Sequence, residues 1–333
     1  MEKKLKIVEK NIFQLQTNQE FEDICMQLFN IHYSGNRIYS NFCKLLGVNK
    51  NNITQIYDIP FLPVEFFKSK KIYLDAFKVQ EFFSSSATTG AISSKHYYHS
   101  LHLYEQSFFK SFENFYGEVS NYNFLCLLPS YLEREGSSLI YMANKFIEKS
   151  NLNSKKSAFF LNNLEELKNR LEQIIRNNEK FILLGVSFAL LDFSEKYNVD
   201  LSSGIVMETG GMKGRRKELI REELHQLLMD SFNVNEIHSE YGMTELFSQG
   251  YSKGLGVYNC PPWMRILVRD NTDPKKYLNN NNSGCINIID LANMYSCPFI
   301  STQDIGKKQD NNSFEVLGRM DQSDIRGCNL MVV

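Results

Sequence analysis

Three polar segments carry most of the chemistry this chain could do. They are Ser84-Ser85-Ser86-Ala87-Thr88-Thr89-Gly90, then His238-Ser239-Glu240-Tyr241-Gly242-Met243-Thr244-Glu245, then Ser301-Thr302-Gln303-Asp304-Ile305-Gly306. In the first, Ser85, Ser86, Thr88 and Thr89 offer hydroxyl donors, and Gly90 lets backbone N–H groups close on phosphate oxygens. The strand-like Glu81-Phe82-Phe83 ahead of it is the setting such a loop needs. It is not a Walker A loop, because Gly-Lys-Ser/Thr is missing. The bland alternative is a plain Ser/Thr turn. Near the end of the sequence Cys328 follows Gly327, with Arg326 close by. A free thiol is mostly protonated at neutral pH but intrinsically nucleophilic, and a nearby cation raises its thiolate fraction. A small apolar residue in a strand would look the same.

Two weaker constellations compete. His96, His99 and His102 recur at i, i+3 and i+6, which on a helix would share one broad face. With no carboxylate or cysteine nearby to complete a metal set, a solvated helix face is the simpler reading. Gly185-Val186-Ser187-Phe188-Ala189 imitates a nucleophile elbow, with Asp200 or Asp230 and then His238 in hydrolase order. The second small position is Ala189, however, and a serine thioesterase leaves the hydroxyl-rich loop unexplained; Ser187 as part of an acyl-pocket wall is the alternative. His238 itself reads equally as pocket lining or as ordinary packing.

The elements that must position these residues follow from hydrophobic patterning. Residues 1–80 read as mostly helical, with 21–29 an amphipathic piece, before Pro60 and Pro63 punctuate an aromatic loop. Short apolar strands then alternate with helices: strands over 123–128, 181–186, 204–207 and 234–238, and a charged amphipathic helix over 215–229. This rhythm predicts a mainly parallel sheet covered by helices. From about Trp263 the texture changes to closely spaced strands over 264–268, 285–290, 299–302 and 314–317, with an Asn-rich loop between the first two, as in an antiparallel subdomain. The expected organisation is one domain over 1–333: a helical region 1–80, an α/β core 81–262, and a β-rich subdomain 263–333 ending in the Cys328 tail.

Bulk properties narrow the field. A net charge of −1 and the lack of a dense Lys/Arg stripe argue against nucleic acid as a main partner. The basic first residues are followed by no apolar region of a secretory signal, and the apolar stretch 181–191 is too short to span a bilayer. Seven cysteines, an odd count with irregular spacing and no C-x-x-C pair, fit reduced thiols in a cytoplasmic protein.

The three segments resemble the adenylate-forming superfamily that includes acyl-CoA synthetases and phenylacetate–CoA ligases. Leu128-Pro129-Ser130-Tyr131-Leu132-Glu133-Arg134, Glu208-Thr209-Gly210-Gly211-Met212-Lys213-Gly214-Arg215 and Arg326-Gly327-Cys328-Asn329-Leu330-Met331 are similar to the long-chain acyl-protein synthetases of bacterial bioluminescence. The last two of these are the specific ones. The resemblance runs from about residue 60 to the C-terminus and implies ATP and Mg²⁺ as cofactors. On it, Ser85, Ser86, Thr88, Thr89 and Gly90 would grip phosphates, and Gly210-Gly211 would let adenine approach the backbone. Tyr241 would lie near the adenosine, Thr244 would hydrogen-bond the α-phosphate and Glu245 would hold Mg²⁺. Asp304 would accept hydrogen bonds from the ribose hydroxyls, Arg319 would meet ribose and phosphate, and Cys328 would accept the acyl group as a thioester. Two departures stand out: Ala87 where the superfamily usually has Gly, and Lys95 further from Gly90 than usual. The resemblance also implies that the small C-terminal domain with its catalytic lysine is lacking, leaving Lys213 or Lys95 as substitutes.

The expectation is therefore an α/β adenylate-forming large domain that converts a carboxylic acid, a fatty acid above all, to an acyl-adenylate and transfers it to Cys328. The implied partner is an acyl reductase or another acyl-accepting protein, with a homo-oligomer left open. The alternatives are an aryl- or acyl-CoA ligase, the serine thioesterase, and a degenerate acyl-binding subunit without catalysis.

Overall fold

The computed structural model describes residues 2–79, 81–86, 92–129, 136–151, 155–210, 219–309 and 313–320. Two compact units divide them, one drawn from 1–80, 97–99 and 262–333, the other from 81–96 and 100–261.

The second unit is built on a sheet whose strands lie in the order Ala158–Phe159, Asn123–Leu127, Phe181–Gly185, Ile205–Glu208, His238–Tyr241, Gly250–Ser252 and Val257–Asn259. The first five run parallel, and the last two are antiparallel to their neighbours. Asn123–Leu127 and Phe181–Gly185 are buried at every position, so both faces are covered and the sequence shows an apolar run instead of alternation. Parallel neighbours need crossovers, and the helices Ser138–Asn151, Leu164–Arg176, Ser187–Lys196 and Arg221–Phe232 supply them. The expected strands over 123–128 and 181–186 are present to within a residue.

The fourth expected strand is displaced. It runs from His238 to Tyr241 and not over 234–238. The preceding helix ends on Asn233 in the left-handed region (φ 54°), and Val234 N–H returns to the Met229 carbonyl at 3.2 Å. The chain spends 234–237 leaving the helix before it can pair. That helix begins at Arg221, later than patterning suggests, and residues 211–218 lie outside the described ones.

In the other unit, Met264–Arg269, Ser283–Asp290, Phe299–Lys308 and Phe314–Arg319 form an antiparallel ladder, and the short Leu62–Pro63 strand adds to Phe299–Lys308 in parallel. The Asn18–Gly35 helix starts with a capping box: Thr17 Oγ1 accepts from Glu20 N–H, and Glu20 Oε2 accepts from Thr17 N–H. Its other end is tied into the core. Buried His32 donates from Nε2 to the Met294 carbonyl at 3.0 Å, and Asn36 donates to the Ser296 carbonyl at 2.8 Å. Trp263, fully buried, meets Phe13 edge-on with ring centroids 4.8 Å apart. No described helix is long and apolar enough to cross a membrane.

Candidate functional site

Gly185, Glu208 and Tyr241 are the last residues of three neighbouring parallel strands in the second unit. Gly185 pairs with Glu208, and Glu208 with Ser239, so the chain turns out of the sheet at one edge three times in succession. In open α/β sheets the ground beyond the carboxyl ends is where ligands bind. Four of the residues expected from sequence meet there: Gly210 two places past Glu208, Tyr241 at its strand's end, and Thr244 and Glu245 just beyond. Gly210 has φ +39° with open space around it, so the backbone conformation, not crowding, calls for glycine.

The hydroxyl-rich segment joins the same group through its base. Ser85 N–H donates to the Ser94 carbonyl at 3.1 Å, and Ser94 N–H donates to Ser85 Oγ at 2.9 Å, closing the two arms of the loop on each other. Two residues on, His96 donates from Nδ1 to the Thr244 carbonyl at 2.9 Å and stacks against Phe247 with ring centroids 4.6 Å apart. Ser86 is exposed. Thr88, Thr89, Gly90, Gly211 and Cys328 lie outside the described residues, as does Lys213. Lys95 is placed with its ammonium 4.7 Å from the Phe82 ring centroid.

Asp304 and Arg319 belong to the other unit, where they are direct partners on adjacent antiparallel strands. Arg319 is exposed and donates to Gln303 Oε1 at 3.3 Å; Asp304 N–H donates to Thr302 Oγ1 at 3.1 Å.

Two buried carboxylates at this edge had no role in the sequence reading. Glu208 Oε2 accepts from Gly210 N–H at 3.0 Å and from Ser187 Oγ at 3.2 Å. Its Oε1 lies 3.7 Å from His225 Nε2, an ion-pair separation and too long for a hydrogen bond. Burial pushes the Glu208 carboxyl up, but His225 and the Arg221 guanidinium more than offset this and hold it below the usual range. Glu240 is shifted the other way. Burial pushes it up to about 7; the Thr209 hydroxyl, donating at 2.5 Å, pulls it back only in part, and the charge of Glu208 adds to the rise. The available signal was an acid at the end of each of two strands, since Glu is almost never fully buried unless paired.

The hydrolase arrangement is not assembled. Ser187 Oγ is bonded to Glu208, with no histidine between them. Asp200 accepts from Ser202 N–H and Asn233 Nδ2, Asp230 from Gln226, and His238 Nδ1 pairs with the Tyr116 hydroxyl at 3.1 Å. The histidine series is also not helical. His96 is on the Lys95–Tyr98 strand and His102 in the first turn of the Leu101–Tyr116 helix, because Ser100 caps that helix and starts it after His99. Among the described residues no three His, Cys, Asp or Glu side chains converge on a metal-sized site. Glu245 is buried, 6% exposed, and offers a single carboxylate, the kind of hard oxygen donor that Mg²⁺ takes.

Comparison with known proteins bears on this geometry. Residues 7–101 match the family model described as "Acyl-protein synthetase, LuxE". A protein of Aliivibrio fischeri named long-chain-fatty-acid–luciferin-component ligase is 23% identical over 350 residues, covering 95% of this chain and 88% of its own. Its namesake in Vibrio harveyi is also 23% identical, covering 91% of this chain and 84% of its own. Among solved structures, ATP-bound MatB from Rhodopseudomonas palustris superposes with a TM-score of 0.52 at 15% identity over 72% of this chain. McyG A-PCP in complex with phenylalanyl-adenylate does so with 0.54 at 15% identity over 75%. The chain spans about half the length of these two structures, 47% and 48%. Such likeness shows the fold, that of the adenylate-forming enzymes.

Proposed function

From its kinship with the acyl-protein synthetases, a ligase family, and its adenylate-forming fold, we propose that the chain activates a long-chain fatty acid with ATP and passes the acyl group to a protein thiol. In the first step a carboxylate oxygen attacks the α-phosphorus, the bond to the β-phosphate bridging oxygen breaks, and pyrophosphate leaves. In the second, a thiolate attacks the acyl carbonyl and AMP leaves.

What most supports the reading is that Gly210, Tyr241, Thr244 and Glu245 gather at the carboxyl ends of neighbouring parallel strands, with the closed base of the 85–94 loop tied to Thr244 through His96. Thr244 would donate to the α-phosphate as charge builds on it, and Tyr241 would flank the adenosine. Ser85 and Ser86, with Thr88, Thr89 and Gly90, would grip the leaving pyrophosphate, and Gly210-Gly211 would receive the adenine. Asp304 would accept from the ribose hydroxyls and Arg319 would meet ribose and phosphate. Glu245 would hold Mg²⁺, which when bound neutralises phosphate charge. Cys328 is the proposed acyl acceptor, and an acyl reductase or other acyl-accepting protein the proposed onward partner.

The test is incubation of the purified protein with labelled fatty acid, Mg²⁺ and ATP, beside Cys328→Ser. ATP-dependent, thiol-labile label on the wild type alone is the expected result. Pyrophosphate release from both without label would move the acceptor elsewhere. Neither signal across a range of acids would overturn the reading.

A further inference from the structure

The turn at 209–210 is held from both faces of the sheet. Because Glu208 pairs with Ser239 and successive side chains alternate, Glu208 and Ser239 share one face, while Thr209 and Glu240 share the other. On the first face Glu208 Oε2 accepts from Gly210 N–H at 3.0 Å and from Ser187 Oγ at 3.2 Å. On the second, Glu240 Oε2 accepts from Thr209 Oγ1 at 2.5 Å.

The other oxygen of Glu240 faces a second turn. A Cβ on Gly242 would sit 2.6 Å from Glu240 Oε1, so this oxygen lies hard against the backbone that leads to Thr244 and Glu245. The carboxylate is 7% exposed and cannot swing aside while Thr209 holds its partner oxygen. One side chain therefore touches both turns, the one carrying Gly210 and the one leading to Thr244. A buried carboxylate of this kind is weak evidence for stability, because desolvation offsets its attractions and an apolar residue of similar volume often serves as well. Its distinctive contribution is geometric.

We infer that Glu240 is a positioning residue: through Thr209 it sets the spacing between the turn at 209–210 and the loop at 242–245, and with it the grip on a nucleoside triphosphate. The inference rests on the proposed function. Its consequence is that loss of the Thr209–Glu240 bond weakens ATP binding at an otherwise intact site.

The experiment is ATP–pyrophosphate exchange at saturating fatty acid, reading KM for ATP and kcat separately alongside the melting temperature. Thr209→Val keeps shape and removes the donor; KM is expected to rise about fivefold or more, the scale of one hydrogen bond, with kcat changed far less. Thr209→Ser and Glu240→Gln each keep one donor–acceptor pair and are expected to stay within about threefold of wild type. Glu240→Leu provides a second route should Thr209→Val fold poorly: a raised KM with an undiminished melting temperature supports positioning. A folded Thr209→Val or Glu240→Leu with wild-type KM overturns the inference, as does equal damage by Thr209→Ser. Exchange by the wild type reports on the proposed function separately: none with any acid overturns that reading and the inference together, whereas exchange that Thr209→Val leaves unchanged overturns the inference alone.

Discussion

His96 Nδ1 lies 2.9 Å from the carbonyl oxygen of Thr244, joining the strand that follows the hydroxyl-rich loop to the backbone that carries Glu245. The carbonyl can only accept, so Nδ1 carries a proton, and burial, which pushes the imidazole down to about 4, keeps the ring neutral near pH 7. His96→Phe preserves the packing on Phe247 and removes the donor. The expected cost is about 1 kcal/mol of stability. Exchange kcat should fall beyond what that loss explains, because Thr244 would lose its tie to the strand that carries His96. Denaturant titration beside steady-state kinetics checks this; a variant with reduced stability and wild-type kcat would reduce His96 to a packing residue.

Three histidines make the fold sensitive to acid, the partly buried His238, pushed down to about 4 by burial and by the Lys253 charge, among them. Burial pushes His32 and His96 each down to about 4, partly countered by their bonds to the Met294 and Thr244 carbonyls. The ordinary value is near 6.5. Between the two values the unfolded chain binds more protons than the folded one, so stability is fully present above about pH 6.5 and is lost as pH falls toward 4. Each group contributes a slope of at most about 1.4 kcal/mol per pH unit. Urea unfolding at pH 7, 6, 5 and 4.5 should show the decline, and His32→Gln should flatten it. A His32→Gln slope equal to that of the wild type would show that His32 is not held neutral.

Glu245 is the carboxylate expected to meet a phosphate-borne cation. Removing a preorganised charge-stabilising group costs about 10²–10³ in rate. Glu245→Ala should therefore cut exchange by that order while the folded fraction, read by circular dichroism and melting, changes little. Near-normal exchange by the folded variant would take Glu245 out of the mechanism.

Ser187 separates the ligase from the thioesterase. Its hydroxyl is bonded to buried Glu208, so Ser187→Ala leaves that carboxylate short of a donor at a cost of about 1–3 kcal/mol. The expected phenotype is a lower melting temperature, exchange within several-fold of wild type, and no thioester hydrolysis in either protein. Wild-type hydrolysis abolished by Ser187→Ala would revive the hydrolase.

Much of this was legible in the sequence, and for identifiable reasons. Phe181–Gly185 and Asn123–Leu127 announce themselves because strands covered on both faces carry unbroken apolar runs. The Tyr241–Glu245 stretch is compact enough for its residue types to be read together. The Thr209–Glu240 bond was not legible, because it depends on register between strands 31 residues apart, which no local pattern encodes. For the same reason nothing near His32 points to Met294, 262 residues on. The third strand of the antiparallel ladder was underestimated, Phe299–Lys308 against 299–302, because its outer half carries Gln303, Asp304, Lys307 and Lys308 and a register shift at Ile305/Gly306.

That outer half supplies the last prediction. Asp304 and Arg319 face each other across the ladder, with Met320 N–H donating to the Gln303 carbonyl at 2.8 Å just beyond. Backbone pairing fixes their positions, so either side chain can be changed without dismantling the strands. Asp304→Asn keeps an acceptor oxygen for a ribose hydroxyl but loses the charge; Asp304→Ala loses both. If Asp304 meets the ribose, KM for ATP should rise modestly in the first and about tenfold or more in the second, with little change in melting temperature. Discrimination between ATP and 2′-deoxy-ATP should also narrow in Asp304→Ala, since the hydroxyl would have lost its acceptor. Unchanged discrimination in a folded Asp304→Ala would assign Asp304 to the strand edge alone.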